Sequence, residues 1–104
     1  MSNLRMPQNF SQTTRLETGE SILNYEIMEE QAASLGRAGR KVEATLEALR
    51  AHPGGEGRAA ALKAAADAVW SFLVQREAMG LRDRAYIAAH YKIPREVMNR
   101  LGGR

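Results

Sequence analysis

Between residues 25 and 49 the apolar positions step along the chain by threes and fours: Tyr25, Met28, Ala32, Leu35, Gly39, Val42, Leu46 and Leu49. That alternation, held for over three heptads, predicts one long helix with a seam packed lengthwise on a partner. Ile22, Leu23 and Ile27 widen the apolar face at its N-terminal end. The helix is expected over about residues 18–51, with Thr18 as N-cap and Glu20 in the first turn, where negative charge suits the helix dipole. Such a helix would be roughly 45–50 Å long, more than the width of so small a domain. Its projecting apolar end therefore needs cover, from the C-terminal segments or from a second chain. Residues 1–17 are polar, contain Pro7 and follow neither period, so they are expected to form a flexible N-terminal arm, disordered or extended. Phe10 is its one large anchor, able to tuck into a groove of the body or of a second copy.

Gly36 and Gly39 interrupt the middle of the seam. Each costs about 1 kcal/mol against alanine in a helix interior, so a return is expected. Close approach of another helix across Gly39 is the favoured return, and a kink near residue 36 the runner-up. The run GRAGRK lies inside the helical period and lacks the lysine–serine or lysine–threonine ending of a phosphate loop, so it is read as helix.

HPGGEG at 52–57 ends the first helix. A second follows over about 58–80, with an apolar face at Leu62, Ala65, Ala66, Val69, Trp70, Phe72, Leu73 and Met79. So short a connection makes the two helices antiparallel neighbours, with Leu49 near Ala60 and Leu35 near Leu73. Arg76 then falls beside the seam, level with Glu29 and Glu30, and a structural ion pair to one of them is expected because an unpaired buried charge is costly. Gly80 ends this helix, Asp83 is the expected N-cap of a third over about 84–92, and Pro94 the expected first residue of a fourth that stops at Gly102 and Gly103.

The segment AYIAAHYKIPREVMNRLGG carries a second reading. Counted as a 20-residue helix-turn-helix from Arg84, the positions that such units bury are Ile87, Ala88, Tyr91, Ile93, Met98 and Leu101, all apolar. Arg95, Glu96, Asn99 and Arg100 would form the recognition face, with Arg82, Arg84 and Lys92 near phosphates. Against this, the usual turn glycine is Lys92, Pro94 arrives one residue late, and any helical corner needs the same apolar spacing. The bundle reading has Ile87, Tyr91, Ile93 and Met98 capping the projecting end of the long hairpin.

Charge sharpens the choice without settling it. The net charge is +3. Residues 82–104 set Arg82, Arg84, Lys92, Arg95, Arg100 and Arg104 against Asp83 and Glu96, a balance of +4, while residues 1–81 carry nine basic and ten acidic groups, a balance of −1. The positive excess thus sits wholly on the C-terminal segment, where an acidic partner would bind. A solvated, arginine-rich tail is the plainer alternative.

The absence of cysteine excludes disulfides, thiol catalysis and cysteine-ligated metals, and suits a reducing, cytoplasmic setting. No apolar run resembles a secretion signal, and none reaches the roughly 20 residues of a membrane span. His52 and His90 have no ligand partner at helical spacing, and no nucleophile motif occurs, so no metal, cofactor or catalytic residue is expected. Glu26, Glu29 and Glu30 cluster on the first helix, where solvated or salt-bridged roles are usual.

MPQNF at 6–10, LNYEIMEEQAASLGRAGRKVEATLEAL at 23–49, WSFLVQREAMGLRD at 70–83 and IPREVMNRLG at 93–102 together resemble a small family of uncharacterised bacterial proteins. The resemblance implies a compact all-helical fold and no established activity, and it offers no functional residues to carry over. The sequence thus predicts an all-α chain: an N-terminal arm (1–17) and one helical domain (18–104), built as a long antiparallel hairpin followed by a short two-helix corner. The expected role is a non-catalytic interaction protein, partnered by itself as a homodimer through the seam, or by another protein. A monomer whose own helices cover the whole seam is the plainer alternative, and a DNA-binding regulator using residues 84–101 is the rival class.

Overall fold

The computed structural model describes the backbone of residues 10–101 and side chains from Thr18 onward. Four helices follow in order: α1 (Phe10–Arg50), α2 (Arg58–Ala78), α3 (Arg84–His90) and α4 (Arg95–Met98), and no strand occurs among the described residues. The all-α hairpin followed by a two-helix corner is the predicted architecture. Of the predicted arm, residues 1–9 lie outside the described residues and residues 10–17 belong to α1. Thr18 is therefore not a cap, because the helix begins eight residues before it, at Phe10.

The chain divides between Ala33 and Ser34 into two compact units. In the first, every residue from Thr18 to Ala33 is exposed. In the second, α1 and α2 form the antiparallel hairpin. The Gln75 amide donates to Ser34 Oγ at 2.7 Å, and a Cβ built on Gly39 would lie 3.5 Å from Phe72 Cε1. These two contacts give the register that the short connection predicted. Val42, Leu46 and Leu49 of the seam are buried here with Ala65, Val69, Phe72 and Leu73 of α2. Burial of a Leu or Val of this kind is worth about 1.5–3 kcal/mol, and alanines between them let the two helices approach closely.

Glycine-type backbone closes the turns. Gly57, at φ 90°, precedes α2 and its carbonyl accepts from Ala61 N–H. Gly80, at φ 88°, ends α2: its N–H bonds Glu77 O while Leu81 N–H bonds Arg76 O, the paired bonds of a Schellman cap. The same pair recurs after α3, where Lys92 N–H bonds Ala89 O and Ile93 N–H bonds Ala88 O. There the left-handed position, φ 54°, is held by Lys92. The missing turn glycine is thus replaced by a lysine in the glycine conformation.

The corner packs back along the hairpin. Arg84 bonds Glu77, Tyr91 packs edge-to-face on Phe72 with centroids 5.5 Å apart, and Glu96 pairs with Arg58 at the start of α2. Ile87, Ile93 and Val97 complete the core, with Tyr91, Met98 and Leu101 partly buried against it. The corner therefore covers Gly39 and the α2 face from Arg58 to Phe72. Pro94 is the N-cap of α4, not its first residue, and α4 is a single turn of four residues that ends well before Gly102.

Candidate functional site

The predicted seam is two surfaces. Leu35 and Gly39 through Leu49 face the chain's own core. Tyr25 (65% exposed), Met28 (63%) and Ala32 face solvent, as do Ile22, Leu23 and Ile27. Along a helix these residues do not share one stripe: at 100° per residue Leu23 and Ile27 lie well round from Tyr25 and Met28. A helix apolar on several sides is ordinarily surrounded by protein. The same stretch carries Glu20, Glu26, Glu29 and Glu30 and no lysine or arginine.

Gly39 faces the Tyr91 and Phe72 side chains, not the backbone of another helix. A Cβ there would stand 2.9 Å from Tyr91 Oη, so the glycine makes room for the Tyr91 phenol against Phe72. Burial pushes the Tyr91 hydroxyl above its ordinary pKa, and the Glu43 carboxylate adds to the shift. Gly36 differs, since a Cβ there meets only Arg40 Nη1, at 3.5 Å.

Arg76 forms an ion pair with Asp83, seven residues along the chain. One Nη2 lies 2.9 Å from each carboxylate oxygen. The guanidinium also lies 5.7 Å from the centroid of Phe72, and its buried Nε has no hydrogen-bond acceptor. Asp83 holds the N-cap position of α3, and its carbonyl accepts from Ile87 N–H. Its side chain makes no capping bond because Arg76 engages it. A charge-assisted pair outcompetes a neutral amide for the same carboxylate.

The residues of the nucleic-acid reading are distributed along the corner. Arg82, Lys92, Arg95, Asn99 and Arg100 are exposed. Arg84 is bonded to Glu77, which holds the Glu77 carboxyl below its ordinary pKa, and Glu96 of the proposed reading face is bonded to Arg58. Helix α4 offers one turn to a groove.

His90 stacks on Tyr86 and meets Tyr91 edge-on. With Tyr91, Lys92, Glu43, Glu47 and Arg50 it lines a shallow cleft of about 350 Å³ over Leu46. His52 lies beside Gly57 in the loop. No group of three histidine, aspartate or glutamate side chains among the described residues is arranged to hold a metal ion. No helix among them is long and apolar enough to cross a membrane.

The solvent face of α2 escaped the sequence reading. Nine of its residues are exposed, and only Lys63 and Asp67 among them are charged, bonded to each other at 2.7 Å. Trp70, expected on the buried face, is 44% exposed, and Val74 beside it is 39% exposed. Trp70 sits at the edge of the apolar arc, where periodicity alone places a residue on either side. The sparse charge along residues 59–78 was the available signal.

The sequence model of one family matches residues 1–104, the whole chain. The chain belongs to the Family of unknown function (DUF6665). That membership accords with the resemblance in residues 6–10, 23–49, 70–83 and 93–102, and brings no activity with it. No curated protein and no solved structure matches the chain.

Proposed function

We propose that this chain is a non-catalytic self-association module, a homodimer built through the N-terminal half of the α1 seam. The observation that carries the reading is the exposure of Ile22, Leu23, Tyr25, Ile27 and Met28, five large apolar side chains within seven residues. Large apolar side chains exposed at this density on several sides of one helix are ordinarily covered by protein. The cysteine-free composition suits a cytoplasmic setting for such a module.

The nucleic-acid alternative has support in the exposed Arg82, Arg95 and Arg100. It is the weaker reading, because a one-turn α4 presents few side chains to a groove and Glu96 is already engaged. Light scattering across a concentration series tests the main reading. A dimer in the micromolar range is expected, and a monomer at high micromolar concentration overturns it. Equal, weak duplex binding by wild type and Arg95→Ala/Arg100→Ala in a salt titration removes the alternative.

A further inference from the structure

We propose, independently of the self-association reading, that the α3–α4 corner binds single-stranded nucleic acid, with a base stacked on Tyr86 and phosphates held by the cations around it. Two observations carry this, one of charge and one of ring geometry. Both carboxylates of the corner are already engaged by arginines of α2, Asp83 by Arg76 and Glu96 by Arg58. In return Glu77 of α2 is bonded by Arg84 and lies in the field of Arg82 as well. Arg58, Arg76 and the five basic groups of residues 82–101 thus stand against Glu77, Asp83 and Glu96, a balance of +4. Lys92, Arg95 and Arg100 are exposed and pair with no carboxylate among the described residues.

The rings supply what charge alone does not. Tyr86 is 61% exposed and stacks on His90, with centroids 5.7 Å and planes 21° apart. His90 meets Tyr91 edge-on at 4.9 Å, and Tyr91 meets Phe72 of the core at 5.5 Å. The outermost ring of a series anchored in the core is therefore held in place with most of its surface in water. Exposed rings among unpaired cations are the composition of single-strand binding surfaces, where phosphates follow the charge and bases stack on the rings. An acidic protein gains nothing from such a stack, and a duplex keeps its base faces inside and meets only a one-turn α4. Lys92 lies with His90 on one wall of the cleft over Leu46, so a cation stands beside the stack. The α1 wall carries Glu43, Glu47 and Arg50. Its two carboxylates repel phosphate and keep the strand on the corner rather than in the cleft.

Fluorescence anisotropy of a labelled oligo(dT) titrated with the full chain at several salt concentrations tests this, with a labelled duplex and heparin as comparison probes. Circular dichroism checks the folding of each variant. Wild type is expected to bind oligo(dT) more tightly than duplex, and less tightly as salt rises. Arg95→Ala/Arg100→Ala is expected to flatten the log–log salt slope by about 1.4, two phosphate contacts at about 0.7 each. Tyr86→Ala is expected to weaken oligo(dT) binding roughly tenfold, the loss of one stacked base, and to leave heparin binding unchanged. Tyr86→Leu, which keeps apolar bulk on α3 without a flat ring, should show the same loss, and Tyr86→Phe should bind as wild type does. Absence of binding at low salt, or duplex bound as tightly as oligo(dT), overturns the proposal. So does a Tyr86→Ala protein whose affinities for heparin and oligo(dT) change alike or not at all, which makes the corner a general polyanion surface. Weaker oligo(dT) binding by Glu43→Gln/Glu47→Gln also overturns it, by placing the ligand in the cleft. None of these outcomes touches the solution mass on which self-association is judged.

Discussion

Met28 and Leu46 occupy the same seam of the same helix, yet Met28 is 63% exposed and Leu46 is 2% exposed. The difference lies in what the rest of the chain supplies. From Ser34 onward α2 and the corner provide partners at matching register, and the seam closes into a core. From Thr18 to Ala33 the same three-four spacing continues with every residue exposed. Helical periodicity identifies which face seeks cover. It does not say whose surface provides it.

The contrast is broken most directly by truncating both residues. Leu46→Ala removes a fully enclosed side chain from between α1 and α2 and is expected to destabilise the monomer by about 2–5 kcal/mol, transfer and cavity costs together. Met28→Ala is expected to stay within about 0.5 kcal/mol in the monomer, as exposed substitutions do. Urea denaturation at a concentration low enough to hold the monomer measures both. Comparable losses at the two positions would mean that residue 28 is covered within its own chain.

Arg76 sharpens the comparison next, since it was expected to bind across to Glu29 or Glu30. Its side chain is 15% exposed and holds Asp83 through one nitrogen and two oxygens. Arg76→Ala is expected to cost about 1–3 kcal/mol, from the lost charge-assisted bonds and the lost cover over Phe72. Glu29→Gln, at an exposed position, should leave stability nearly unchanged. A double-mutant cycle between Arg76 and Asp83 reports the coupling.

Much of the fold was legible because its signals are local. HPGGEG and Gly80 mark element ends through backbone chemistry that depends on neighbouring residues alone, and a short connection forces the hairpin register. The apolar corner residues Ile87 and Ile93 were legible for the same reason. Partner choice was not. Asp83 lies seven residues from Arg76, within reach only because the Schellman cap at Gly80 turns the chain back, and no periodicity encodes that turn. The helix-turn-helix count puts Met98 rather than Val97 on the buried side, whereas the single turn of α4 buries Val97 fully and Met98 in part. The exposed face of α2 was legible only as missing charge, which an alanine-rich helix disguises as high helix propensity.

Gly36 and Gly39 look alike in the sequence and separate on what surrounds them. Gly36→Ala meets only the end of the Arg40 side chain and should stabilise the protein by about 0.5–1 kcal/mol, the ordinary helix gain. Gly39→Ala places its methyl 2.9 Å from Tyr91 Oη, so the packed phenol must move and the gain is forfeited, with a net loss of about 1 kcal/mol expected. Adding Tyr91→Phe removes the obstructing oxygen and should restore much of it. Thermal melts of the four proteins distinguish close approach from simple glycine cost, and equal effects at the two glycines would remove the packing role of Gly39.

The smallest effect concerns Lys92, which stands where the corner would ordinarily hold a glycine. A non-glycine residue in the left-handed region carries a conformational penalty, and here the position closes the Schellman cap that aims Ile93 into the core. Lys92→Gly keeps both cap bonds while removing that penalty, although a more flexible unfolded chain returns part of the gain. A stabilisation of about 0.5 kcal/mol is the expected balance, seen as a small rise in melting temperature with unchanged helix content. Lys92→Ala removes the same ammonium group and keeps the penalty, so it should show no rise. If both variants are stabilised alike, charge at the end of α3 is the cause and not backbone strain.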